Sequence, residues 1–113
     1  MNKQIEREQG DTGPPVDDTL KSDDSADDLT GATVAFSLWQ SDGTVVVDED
    51  TSNVTVEDAA AGDVEYAFSG TDLDSAGLHF YEWTVTFSDG TELTYPNTEA
   101  DGVPLYVNPA SPS

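Results

Sequence analysis

Short stretches in which apolar and polar residues alternate follow one another along the chain beyond Leu29. A period of two, with β-branched and aromatic residues at the apolar positions and turn residues between the stretches, is typical of half-buried strands. The clearest stretch places Val34, Phe36 and Leu38 on one face. The pattern predicts strands at 33–40, 45–47, 53–57, 64–68, 78–88, 92–95 and 103–107.

Helical periodicity is weak throughout, and residues 71–76 are long enough for one helical turn at most. Seven or eight short antiparallel strands without a long helix predict an all-β fold, an immunoglobulin-like antiparallel β-sandwich. We expect this sandwich domain over residues 29–108, with a short C-terminal tail at 109–113.

The N-terminal quarter of the chain has a different composition, rich in Gly, Pro, Ser and Asp. Residues 1–9 are charge-balanced and suit a short helix only if other parts of the protein hold them. Pro14 and Pro15 exclude a helix after this point. We therefore expect residues 1–28 to form an extended acidic arm, with an edge strand at 16–20.

Composition adds a strong constraint, because 24 Asp and Glu residues stand against 3 Lys and Arg, for a net charge of −21, and no Lys or Arg follows Lys21. A compact domain with this charge repels itself in dilute buffer, whereas the Debye length falls to about 3 Å at 1 M salt. The composition resembles that of proteins from haloarchaea and their viruses. An acidic protein from a low-salt organism is the alternative.

Several classes of partner and chemistry are disfavoured by the same composition. Nucleic-acid binding depends on Lys and Arg to neutralise phosphates, so neither DNA nor RNA is expected as a partner. The chain has no cysteine, which removes disulfides and thiolate chemistry. It also lacks an apolar run of membrane-spanning length and an N-terminal secretory signal, so we expect a soluble protein that contacts no membrane and is not exported by itself.

The candidate catalytic and metal-binding residues are limited to one histidine and the many carboxylates. His79 has no second His and no Cys to join it, so we interpret it as a histidine at the rim of the core. Acidic pairs are unavoidable with so many carboxylates, which makes them weak indicators of glycoside hydrolysis. The clusters 48–50 and 23–28 offer oxygens for Ca²⁺, but their spacing fits no EF-hand loop. We therefore assign no catalytic, cofactor-binding or metal-binding residue and expect no cofactor.

Apolar residues on the outward faces of the predicted strands are more informative. Leu78 and Phe80 alternate with the inward row of their strand, and Trp39 lies opposite Phe36 and Leu38. Exposed aromatic residues commonly anchor protein contacts, although a loop or the N-terminal arm covering them is the alternative. The predicted protein-interface residues are Pro14, Pro15, Val16, Trp39, Leu78, Phe80 and Tyr106.

Several short motifs carry a resemblance to a known family. They are GDTGPP at 10–15, DLTGATV at 28–34, Gly77 before the longest strand, VTFSDG at 85–90 and YPN at 95–97. In this order and spacing, over residues 9–108, they resemble short virion proteins of tailed phages that are similar to the N-terminal domain of the phage baseplate upper protein. The resemblance implies an immunoglobulin-like sandwich that attaches to other tail components.

Together these observations predict a non-enzymatic structural virion protein of a tailed virus that infects a halophilic archaeon. We expect it in the virion, assembled in the host cytoplasm, docked onto tail or baseplate proteins through its sandwich and its arm, and homo-oligomeric within the particle. Capsid decoration or a vertex turret is one alternative, since a fold does not determine location. A module that binds a host-surface glycan or receptor through Trp39, Tyr95 and Tyr106 is another.

Overall fold

The computed structural model of the chain describes residues 5–22, 25–95 and 103–109. Every regular element in these ranges is a strand, so the predicted all-β class is confirmed. None of the described segments forms a helix with the length and apolar character needed to cross a membrane. The strands are β1 Ile5–Glu8, β2 Val16–Thr19, β3 Lys21–Ser22, β4 Ser25–Ala26, β5 Thr33–Gln40, β6 Val45–Asp50, β7 Val54–Asp58, β8 Asp63–Tyr66, β9 Gly77–Thr86, β10 Glu92–Tyr95 and β11 Val103–Asn108.

The longest strand, β9, organises a six-stranded sheet whose main order is β1-β11-β9-β5-β6. β5 pairs with β9 in antiparallel register along its full length. The other side of β9 is shared by β11, which pairs with Gly77–Tyr81, and by β10, which pairs with Trp83–Thr86. β1 then extends the sheet by pairing with β11 in the parallel direction.

A three-stranded sheet of order β2-β8-β7 contributes the other half of the core, and β3 and β4 form a separate two-stranded ribbon. The ring of Phe36 on β5 stacks on the ring of Tyr66 on β8, with centroids 4.0 Å apart and an interplanar angle of 13°. Aromatic pairs in offset stacks contribute beyond the area they bury. The two larger sheets therefore share one core, an arrangement compatible with a β-sandwich.

Strand alternation explains which residues fill this core. On β9 the buried positions are the odd-numbered ones from His79 to Val85, whereas the even-numbered residues face outward. Successive side chains of a strand point to opposite faces, so an alternating sequence buries one row against the facing sheet. The buried apolar residues are Val16, Leu20, Leu29, Val34, Phe36, Leu38, Val47, Val64, Tyr66, Phe68, Leu73, Tyr81, Trp83, Val85, Tyr95, Leu105 and Val107.

Aspartate side chains accept the hydrogen bonds of the core tyrosines. Tyr66 donates its hydroxyl to Asp72 at 2.6 Å, and Asp72, which is only 6% exposed, also accepts from the backbone and hydroxyl of Ser69. Tyr95 donates its hydroxyl to Asp27. A buried hydroxyl without a partner costs free energy, so these carboxylates let tyrosine serve as a core residue.

The predicted extended arm over residues 1–28 is not confirmed, because its described residues are part of the folded structure. Ile5 is partly buried in β1, and the side chains of Val16 and Leu20 are 1% and 3% exposed in the core. The strand predicted at 16–20 is present as β2, Val16–Thr19, and among the described strands it pairs with β8 alone, as an edge strand does. The helix considered for residues 1–9 is wrong for residues 5–8, which are a strand. Residues 1–4, Asp23, Asp24, 96–102, which include most of the YPN motif, and 110–113 lie outside the described ranges.

Candidate functional site

The outer face of the six-stranded sheet brings together four of the residues predicted to form an interface. Trp39 on β5 lies directly opposite Phe80 on β9, and Leu78 lies opposite Tyr106 on β11. Phe80 and Leu78 are two residues apart on one strand, so their side chains point to the same face. The two cross-strand pairs are therefore neighbours on a single surface.

Two further apolar residues join these pairs through the register of the sheet. Val45 on β6 lies opposite Trp39, and Pro104 on β11 lies opposite Phe80. One row therefore crosses four strands, from β6 through β5 and β9 to β11. We call this surface the apolar patch, and it consists of Val45, Trp39, Leu78, Phe80, Pro104 and Tyr106.

Two side chains of the apolar patch are exposed, and the other four are half-buried. The rings of Trp39 and Phe80 are in tilted contact, with centroids 6.3 Å apart and an interplanar angle of 31°. Val45 is 61% exposed and Leu78 is 38% exposed, the two large apolar side chains that are most open to solvent among the described residues. A contiguous apolar surface that adds nothing to the core is the kind of feature that marks a protein contact.

Carboxylates border the apolar patch. Glu6 on β1 lies beside Tyr106 in the register of the sheet, and Glu82 follows Phe80 on the outward face of β9. Partial burial, together with the charge of Glu49, raises the pKa of the Glu82 carboxyl. Glu49 is placed there because its backbone N–H donates to the hydroxyl of Ser37, the residue that pairs with Glu82. The rim of the patch is therefore negative.

The outer face of the three-stranded sheet is acidic rather than apolar. Asp17 on β2 and Glu65 on β8 are cross-strand partners, and carboxylate oxygens of Asp17, Glu57 and Glu65 lie within 4.8 Å of one another. Partial burial and the charges of Glu57 and Asp17 raise the pKa of Glu65. Carboxylate oxygens at this spacing suit a hard cation. Sequence reasoning missed this cluster, since only the pairing of β8 with both β2 and β7 brings it together.

The acidic runs considered for Ca²⁺ from the sequence are used differently in the structure. Asp50 accepts hydrogen bonds from Ser52 and Asn53 at the end of β6. Asp28 accepts from the backbone and hydroxyl of Thr30. These short-range bonds are those of Asx turns, in which the carboxylate stabilises the local backbone. Asp23 and Asp24 lie outside the described residues.

The remaining predicted interface residues lie apart from the apolar patch. Val16 belongs to the core, so its assignment to an exposed interface is wrong. The carbonyl oxygens of Pro14 and Pro15 accept hydrogen bonds from the Arg7 guanidinium, at 2.9 and 3.2 Å. Because Arg7 also lies over the ring of Phe68, at 5.8 Å, it ties the proline segment to the core.

His79 and Tyr95 take structural positions. The His79 side chain is fully buried, and its Nδ1 lies 2.9 Å from the carbonyl oxygen of Gly77. Among the residues that the structure describes, its Nε2 has no hydrogen-bond partner, so the histidine is only partly satisfied there, and it lies deeper than the predicted core rim. Tyr95 is 2% exposed, which removes it from the sugar-binding platform considered with Trp39 and Tyr106.

Known proteins add no assignment to this geometry. No protein-family model and no curated protein matches the sequence.

Proposed function

We propose that this chain is a non-enzymatic structural protein of a virus particle and that it docks onto a neighbouring protein through the apolar patch. The observation that carries the proposal is the pairing of Trp39 with Phe80 and of Leu78 with Tyr106 on one outward face. Large aromatic side chains supply much of the binding free energy at protein interfaces. A rigid sheet holds them in place, so little conformational entropy is lost on docking.

The role of the buried polar groups agrees with a structural protein. Asp72 and Asp27 accept hydrogen bonds from core tyrosines, and burial raises the pKa of Tyr95 to about 12. A tyrosine with such a pKa stays neutral at physiological pH and serves as a hydrogen-bond donor. These tyrosines and aspartates are thus engaged in hydrogen bonds that stabilise the core.

Within the particle, we propose a tail or baseplate position in a tailed virus of a halophilic archaeon, with an immunoglobulin-like sandwich as the docking module. The support is the resemblance of the GDTGPP, DLTGATV and VTFSDG segments to phage tail proteins, together with a net charge of −21 that molar salt screens. We also propose that several copies are present in each particle, as is usual for tail components.

Staged dissociation of purified particles tests the location. Particles are separated into tail and capsid fractions at molar salt, and the chain is followed by mass spectrometry. We expect it in the tail fraction. Recovery with the capsid would overturn the tail position and favour decoration of the head, and complete absence from particles would overturn the virion role.

A patch variant tests the docking surface itself. The double variant Trp39→Ser, Phe80→Ser removes both outward rings, and Thr84→Ser on the same outward face of β9 is the matched control. We expect the double variant to fold, by circular dichroism, but to be lost from particles while the control is incorporated. Equal incorporation of both would overturn the apolar patch as the docking surface. Selective binding of the wild type to a glycan array, abolished by Trp39→Ala, would instead indicate a receptor-binding role.

A further inference from the structure

We propose that the partner on the apolar patch is a different chain, whose contacting surface has an apolar centre surrounded by Lys and Arg. This inference rests on the proposed docking function and identifies the chemistry of the partner. It follows from the signs of the charges around the patch and from their positions in the register of the sheet.

Three carboxylates define the rim of the apolar patch. Glu6 neighbours Tyr106 across β1 and β11, Glu82 follows Phe80 on the outward face of β9, and Glu49 is close enough to Glu82 to raise its pKa. A protein that covers the rings also removes these carboxylates from water. Carboxylates that are removed from water destabilise the complex strongly unless opposite charges pair with them.

The chain does not supply these opposite charges among its described residues. The guanidinium of Arg7 donates to the carbonyls of Pro14 and Pro15 and lies over Phe68, and the side chain of Lys21 belongs to the two-stranded ribbon. The sequence contains no Lys or Arg after Lys21. Lys3 lies outside the described residues, and on the charges that the structure describes we assign the cations of this interface to the partner.

A second copy of the chain fits this surface poorly. A two-fold interface places the same patch on both sides, so the rims of Glu6, Glu49 and Glu82 would meet like charges, on two chains that each carry −21. Like charges brought together across an interface disfavour the complex strongly. A basic rim turns the same three positions into charge-assisted hydrogen bonds.

Molar salt does not remove the preference for a basic partner over a second copy of the chain. At a Debye length of about 3 Å, repulsion between distant parts of two acidic proteins is screened, whereas pairs in direct contact and away from water are screened much less. High salt therefore allows two acidic proteins to approach each other, and the charge pairs at the rim of the apolar patch determine which partner binds.

Binding of defined peptides to the full chain tests the proposal. One probe alternates leucine and lysine, a second alternates leucine and glutamate, and a third alternates serine and lysine; all are titrated at about 1 M KCl, where long-range attraction is weak. We expect the leucine–lysine peptide to bind most tightly. The double variant Trp39→Ser, Phe80→Ser should weaken this binding at least about tenfold.

A charge-matched pair of variants locates the binding surface. Glu6→Gln with Glu82→Gln removes two charges from the rim, and Asp17→Asn with Glu65→Gln removes two from the outer face of the other sheet. We expect the rim variant to weaken binding about tenfold and the control to leave it nearly unchanged. Equal weakening by both variants would mean non-specific attraction of a polycation and would overturn the proposal.

Analytical sedimentation of the chain and its incorporation into virus particles distinguish the remaining outcomes. A dimer of the wild type that Phe80→Ser dissociates would make a second copy the occupant, which overturns the basic partner and leaves the docking function standing. If the Trp39→Ser, Phe80→Ser variant binds the leucine–lysine peptide normally and also enters particles normally, both the partner chemistry and the docking function are wrong.

Discussion

Trp83 donates its indole Nε1–H to a carboxylate oxygen of Asp18 at 2.9 Å, although the two residues belong to different sheets and are 65 positions apart in the chain. Tyr81 donates its hydroxyl to the same oxygen at 2.9 Å. Both donors lie on side chains that are at most 1% exposed. One aspartate on an edge strand therefore satisfies two aromatic donors of the central strand.

Replacement of Asp18 should be among the most damaging changes to a charged residue. Asp18→Ala leaves the buried donors of Tyr81 and Trp83 without their shared acceptor, and we expect a loss of about 3 kcal/mol in the free energy of unfolding. Chemical denaturation followed by circular dichroism at molar salt measures it. Asp17→Asn, one residue away on the outward face, is the control and should not lower stability, because it relieves repulsion within the acidic cluster. Equal losses of stability in the two variants would show that the hydrogen bonds from Tyr81 and Trp83 to Asp18 contribute little.

Neutralising one member of the acidic cluster should stabilise the protein. We expect Glu65→Gln to raise the melting temperature at pH 7 in dilute buffer, because it removes repulsion with Asp17 and Glu57. The gain should shrink near 1 M KCl, where repulsion is screened. A lower melting temperature at pH 7 would show that the three carboxylates stabilise the fold, as they would by holding a cation.

The difference in melting temperature between Glu65→Gln and the wild type should depend on pH in the direction set by the pKa of Glu65. The pKa of Glu65 is raised in the folded protein, by partial burial first and then by its acidic neighbours. The folded state therefore holds the proton more strongly than the unfolded chain, and the wild type gains stability as the pH falls through the folded pKa, which lies above 4.5. We expect the advantage of Glu65→Gln to disappear over this range in melting curves recorded at a series of pH values.

Asp50 should show the opposite dependence. The Ser52 hydroxyl is the main cause that lowers the pKa of Asp50, with backbone and side-chain N–H groups of Ser52 and Asn53 adding to it. The stability that Asp50 contributes is complete above pH 3.8 and is lost as the pH falls through the lower, folded pKa. Because the carboxylate is largely solvated, Asp50→Ala should cost less than about 1 kcal/mol at neutral pH. Chemical denaturation of the wild type and of Asp50→Ala at pH 7 and near pH 2 measures this loss of stability. The same loss at both pH values would contradict the prediction.

Gly62 and Gly90 both have a positive φ, and their alanine variants distinguish the cost of backbone strain from the cost of a steric clash. Gly62 has φ +74°, and a Cβ there would lie 2.8 Å from the carbonyl oxygen of Leu20 and 2.9 Å from that of Asp27. Gly90 has φ +93°, and no described residue other than its chain neighbours has an atom within 4 Å of its Cβ position. We expect Gly90→Ala to cost about 1 kcal/mol and Gly62→Ala at least about 3 kcal/mol in unfolding experiments. Similar costs would mean that the backbone around Gly62 can move aside.

The uncompensated charge should make stability rise with salt. We expect the melting temperature to increase from millimolar to molar KCl, because a net charge of −21 repels itself when unscreened. Sucrose at matched osmotic strength is the control, since it strengthens burial without screening charge. An unchanged melting temperature in KCl would remove the physical basis of the high-salt setting.

Strands with strong alternation were predictable from the sequence. The bounds of β5 and β10 are those of the predicted strands 33–40 and 92–95, and β9 differs from its prediction by one residue at the start and two at the end. The outward positions of Trp39, Leu78 and Phe80 follow from the same alternation. These features depend on neighbouring residues alone.

The N-terminal strands were harder to predict, for a physical reason. β1 and β2 are four residues long and mostly polar, and each has a single apolar residue, Ile5 or Val16, that packs into or against the core. Such short segments acquire their strand conformation from partners, β11 and β8, that are about 100 and 50 positions away in the chain. Composition made residues 1–28 resemble an extended arm, in which the edge strand at 16–20 was the one strand predicted.

The alternation of residues by itself determined which side chains face the core, because the two-residue period of a strand is a local property of the backbone. Only the tertiary structure decided which outward residues become neighbours. Strand order and register are set by contacts between distant segments, and they place Val45 and Pro104 beside the Trp39–Phe80 pair and Glu6 beside Tyr106. The same long-range pairing brings Asp17 to Glu65 and creates the acidic face on the other sheet.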